Sequence, residues 1–143
     1  MIFQGIVFGD TPSAIDIYNQ MYPIQPGTNV KVAYEMLGNP QEKSRIHNSL
    51  MWQLASNRFL VVFVNNSIIK DNGYFETYEQ IEIARQRYEE LKEGFYKILG
   101  SPIEVKELEC ASAWYVRNSL FTLVYETDND IGPNIGVHFF SLK

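Results

Sequence analysis

The chain repeats itself. Tyr34-x-x-Leu37-Gly38-x-Pro40 returns as Tyr96-x-x-Leu99-Gly100-x-Pro102, an offset of 62 residues. The match continues without a gap: Glu42 answers Glu104, Trp52 answers Trp114, Phe59 answers Phe121 and Val62 answers Val124. That gives eight identities in positions 34–63, where ordinary composition would supply roughly two. Self-similarity on this scale constrains the architecture before any single element is assigned. Residues 1–70 read as one copy and 71–143 as a second, together forming a single domain.

Each copy reads as a helix followed by a three-stranded antiparallel meander. In the first, Thr11 is the expected N-cap and Pro12 the first helical residue, because proline lacks an N–H that would go unused there. Ile15, Tyr18 and Tyr22 form the expected inner face. A second short helix is expected from about Asn29 to Leu37, stopped by Gly38 and Pro40. In the second copy Thr77-x-x-Gln80 reads as a capping box. Ile81, Ala84, Tyr88, Leu91, Phe95 and Ile98 then recur at spacings of three and four, which predicts one long helix with a single apolar stripe. Gly94 inside it predicts close approach of another backbone.

Strands are expected near 48–55, 58–65 and 67–70, then near 107–117, 119–127 and 135–142. The fold class is therefore α+β, with a sheet of about six strands and helices on one face. Phe59, Val61 and Phe63 point one way while Leu60, Val62 and Val64 point the other. A sheet covered on one side should alternate apolar with polar. Apolar residues on both sides imply a second face that is either covered or used for binding.

Leu37-Gly38-Asn39-Pro40 with Trp52 and the run Phe59–Phe63, and Leu99-Gly100-Ser101-Pro102 with Trp114 and Phe121–Tyr125, resemble the repeat of the β-lactamase-inhibitor-protein-like fold, which includes the SmpA/BamE small proteins. Phe8-Gly9-Asp10-Thr11-Pro12 looks like the helix start of such repeats. The resemblance implies tandem α-β-β units and a non-catalytic protein binder that works through a concave sheet. Unlike those exported proteins, this sequence shows no signal-peptide pattern and no cysteine framework.

The net charge of −5 and pI near 5.0 argue against a nucleic-acid partner, which calls for a basic face. Residues 71–130 carry thirteen acids against six bases; a solvated helix face accounts for most of them. The lone Cys110 suits a reducing compartment, no apolar run spans a bilayer, and a cytoplasmic location is expected. His47, His138 and Cys110 are expected to be structural. Glu104, Glu107 and Glu109 read as a charged edge. No metal-ligand spacing or phosphate loop is seen, so neither cofactor nor catalysis is expected. The expected role is binding another protein, as an inhibitor or immunity-type protein. The alternatives are a homodimer that buries the second face, or a small-ligand pocket lined by Tyr18, Tyr34 and Tyr96. Tyr74, Phe75, Tyr115, Arg117 and Asn118 are the candidate partner contacts, since Tyr and Arg dominate interface energetics.

Overall fold

The structure is a computed structural model that describes residues 11–104, 111–127 and 132–142. Among these residues the chain forms three α-helices and eight strands: α1 (Ala14–Met21), α2 (Lys31–Leu37), β1 (Glu42–Ser44), β2 (Ser49–Ala55), β3 (Arg58–Asn65), β4 (Ile68–Thr77), α3 (Ile81–Leu99), β5 (Ile103–Glu104), β6 (Ala111–Val116), β7 (Ser119–Glu126) and β8 (Asn134–Ser141). All eight strands join one antiparallel sheet in the order β1-β2-β3-β4-β8-β7-β6-β5. The α+β class is as expected. The extra strands are β1 and β5, short segments that begin right after each Gly-x-Pro and add themselves to the two edges of the sheet.

Two helix starts differ from expectation. Ser13, not Thr11, caps α1: its hydroxyl accepts from Asp16 N while the Asp16 carboxylate accepts from Ser13 N. A complete capping box outcompetes a lone threonine two residues upstream. At α3, Thr77 is still in β4 and Gln80 caps without a side-chain bond, so the Thr77–Gln80 box does not form. The inner face of α1 also shifts by one residue, about 100° around the helix. Ala14, Ile17 and Met21 are buried while Ile15 is exposed.

β4 is much longer than the sequence suggests. The strand expected near 67–70 runs on to Thr77, with Gly73 in register between Val61 of β3 and His138 of β8. Tyr74 and Phe75 are consequently residues within β4.

Register also corrects the ungapped self-match. Trp52 stands opposite Leu60, and Trp114 opposite Phe121. A bulge between Gln53 and Ala55 gives the first hairpin one extra residue. Counted from each tryptophan, Leu60 rather than Phe59 therefore occupies the place of Phe121, and Val62 that of Leu123. A one-residue slip sends a side chain to the opposite face. Phe59 and Phe121 are identical letters on different sides of the sheet.

One face of the sheet carries the core. Leu60, Val62, Tyr74, Phe121, Leu123, Ile135, Val137 and Phe139 are buried there with the inner sides of the helices. Tyr18 of α1 meets Phe121 edge-on, Tyr34 of α2 meets Trp52, and Phe95 of α3 meets both Trp114 and Phe121. Both tryptophans serve a second purpose. Trp52 Nε1 donates to Gly38 O at 3.0 Å and Trp114 Nε1 to Gly100 O at 2.9 Å. Each bond satisfies a carbonyl left over where a helix ends, at a glycine whose φ is 77° or 88°.

α1 rests on α3 at Gly94. A Cβ placed there would lie 2.5 Å from the Ala14 Cβ, so the expected close approach is real. Gly94→Ala gains about 1 kcal/mol in helix propensity but forces the two helices apart, an overpacking cost of about 1–3 kcal/mol. Net destabilisation is expected on urea denaturation; a stabilised variant would mean that α1 yields easily.

The two helices and β4 are also joined by buried charge. Glu76 is fully buried and accepts from Arg87 Nε and Nη2, both at 2.8 Å, and from the hydroxyls of Tyr74 and Tyr78, both at 2.5 Å. Arg87 also donates to Pro12 O at 2.6 Å and to Glu90. The Arg87 bonds and charge hold the Glu76 carboxyl below its ordinary value although burial alone would raise it. No helix among the described residues is long and apolar enough to cross a membrane.

Candidate functional site

The sheet side away from the helices is the feature to explain. Pairing places Met51, Val61, Gly73, His138, Thr122, Ala113 and Ile103 side by side in one row across the strands. Gln53, Phe59, Phe75, Gly136, Val124 and Ala111 form the next row, and Ser49, Phe63, Asp71, Phe140, Leu120 and Tyr115 a third, on the other side of the first. Alternation sends all of these to one side. Phe63, Phe140, Ile103 and Tyr115 are exposed there, Tyr115 by 68%. Phe59, Val61, Phe75, Leu120 and Val124 are half-buried. The carboxylates in face register are those of Asp71, in the third row, and Glu42 and Glu126.

His138 sits at the centre. Its ring stacks on Phe140 at 5.2 Å with planes 16° apart, and meets Phe75 edge-on at 5.1 Å. It lies against two glycines. A Cβ on Gly73 would come within 2.9 Å of Nδ1, and one on Gly136 within 2.8 Å of Nε2. Glycine inside a strand is the space the imidazole needs. Burial pushes His138 down to about 4, against an opposing pull from the Glu126 charge. The ring is therefore neutral at pH 7 and behaves as one more flat aromatic surface. Beside it the Thr122 hydroxyl is buried without a hydrogen-bond partner among the described residues.

The candidate contacts divide. Phe75 and Tyr115 share this face. Arg117 and Asn118 lie exposed in the β6–β7 turn at one end of the sheet. Tyr74 is excluded: it is fully buried on the helix side, with its hydroxyl on Glu76, because neighbours in a strand face opposite ways. The sequence places Phe59 and Phe63 together on one side of their strand but does not join them to Phe140 or to His138, which it treats as structural. The strand glycines at 73 and 136 were the available signal. Tyr18, Tyr34 and Tyr96 do not converge. Tyr18 packs on Phe121 and Phe139, Tyr34 lines a cleft with Lys43 and Leu50, and Tyr96 borders a separate one on α3. His47 is exposed in the β1–β2 turn. Glu107, Glu109 and Cys110 fall outside the described residues, as does the stretch Phe8–Asp10. Among the described residues no three His, Cys, Asp or Glu side chains gather as a metal site.

No protein-family model matches the sequence. No curated protein shows significant similarity to it. Among solved structures, a DUF4309 family protein, YjgB from Bacillus subtilis subsp. subtilis str. 168, is similar in fold, with a TM-score of 0.52 over 90% of this chain and 95% of that one, at 13% identity.

Proposed function

We propose that this chain is a non-catalytic protein-binding module that acts through the open sheet face and its neighbouring turns, in the manner of an inhibitor or immunity-type protein. The observation that carries the reading is the face itself: phenylalanines, a tyrosine and a neutral histidine laid across both halves of a rigid sheet, with no helix among the described residues packed over them. Aromatic side chains of this kind are the common anchors of protein interfaces, and a rigid platform keeps the ordering cost of binding low. The paired Trp-to-glycine bonds and the mirrored strand order are in keeping with a tandem duplication of the kind found in β-lactamase-inhibitor-protein-like folds. An acidic chain with one cysteine suits the cytoplasm.

Phe63→Asp tests the reading. Phe63 is 39% exposed on the open face, so the fold should tolerate the change. Affinity capture from host lysate should recover one stoichiometric protein with the wild type and at least tenfold less with the variant. Equal recovery by both would move the contact elsewhere. If the wild type instead sediments as a dimer that Phe63→Asp dissociates, the face is a self-association surface.

A further inference from the structure

A cleft lies at one end of the sheet, where the start of β4 comes beside the β6–β7 turn. It measures about 770 Å³ and is lined on one side by Gln25–Thr28 and Ile68–Asp71, and on the other by Arg117, Asn118, Ser119 and Ser141. Small-ligand sites have this size. Both walls are fixed. Gly27 N donates to Ile69 O and Ile69 N to Thr28 O, each at 2.8 Å, while Leu142 N donates to Asn118 O at 3.1 Å. The cleft is therefore formed before any ligand arrives.

Its charge runs against that of the chain. Among the described residues, Lys70 and Arg117 line it with Asp71 as the one acid, a local excess of one positive charge in a protein of net −5. The remaining polar lining is hydroxyl and amide: Thr28, Ser119, Ser141, Gln25 and Asn118. This is the set that binds an oxyanion, with cations for charge and neutral groups for the remaining lone pairs.

Arg117 is held there at a conformational cost. It takes φ 55° at the first position of the two-residue turn between Val116 and Ser119, whereas Asn118 stays outside the left-handed region. Turns of that form usually place glycine first. The guanidinium is kept 5.7 Å over the Tyr22 ring, which orients it. A bulky residue in a glycine position, oriented by a neighbour and facing a preformed cleft, is the pattern in which local strain accompanies binding. We infer that this cleft is a binding site for a small oxyanion, a carboxylate or phosphate compound, gripped by Arg117 and Lys70.

Arg117→Gly separates binding from folding. Glycine relaxes the turn, so the melting temperature should rise by about 2–5 °C. Lys70→Gln serves as a second variant outside the turn. Inorganic phosphate and succinate are titrated separately into each protein at constant ionic strength, with sodium chloride as the control, and amide shifts are followed by NMR. Saturable shifts at Thr28, Ser119 and Asn118 with either anion, weakened at least tenfold in both variants, would support the site; the more effective anion names the ligand class. Shifts that do not saturate, that chloride reproduces, or that survive in Arg117→Gly would overturn it.

Discussion

Replacing Glu76 with alanine is expected to cost about 3–5 kcal/mol, a drop of roughly 10–20 °C in melting temperature for a chain of this size. The reason is what stays behind. Arg87 is 6% exposed, and without Glu76 its charge faces a nearly dry interior with, among the described residues, Pro12 O and the solvent-side Glu90 left to answer it. The hydroxyls of Tyr74 and Tyr78 lose their acceptor at the same time. Glu76→Gln keeps the shape and part of the bonding, so its loss should be smaller. Glu76→Leu combined with Arg87→Met should recover most of the stability, because a buried ion pair exchanged whole for apolar groups of similar volume is often neutral. Urea denaturation of the singles and the double closes the cycle. A single mutant within 1 kcal/mol of wild type would mean that water reaches Arg87.

The second large effect is acid sensitivity centred on His138. Its pKa is depressed in the fold, from an ordinary 6.5 to about 4. Between those values the unfolded chain binds a proton that the folded chain refuses, so stability falls as pH falls. The contribution is complete above pH 6.5, declines below it and levels off near pH 4, with a total on the order of 3 kcal/mol. The Glu76 carboxyl is also depressed, so its contribution holds above the ordinary carboxylate value and is lost only in stronger acid. The two limbs therefore separate by pH. His138→Phe should keep the ring between Phe75 and Phe140 and abolish the upper limb alone. NMR titration of His138 Hε1 gives the direct measure. A midpoint near 6.5 would show that the imidazole is solvated and that the centre of the face is wetter than described.

Much of the architecture was legible because it rests on short-range rules. Gly38 and Gly100 end helices, the α3 stripe is periodic, and most hairpins fall between turn residues. What was hidden depends on partners distant in sequence. Nothing near Asn72-Gly73 says that β4 continues; that follows from His138, which needs the glycine and arrives sixty-five residues later. Glu76 looks like an ordinary exposed acid until Arg87 folds over it. The face of Phe59 could not be read from its match with Phe121, because a bulge inserted one residue between them. Tyr74 faces the core and Phe75 the open side for one reason: a strand separates neighbours, and its extent was not visible.

The position of β8 has a consequence for biosynthesis. It is made after every other described strand of the sheet, yet it fills the middle beside β4. The roughly sixty residues between the end of β4 and the end of β8 take seconds to make at about 5–20 residues per second. Through that interval ten residues of β4 offer bare N–H and C=O groups to any strand nearby. The nascent chain therefore carries an exposed strand edge until β8 has emerged, and a premature stop anywhere before β8 leaves that hazard permanent.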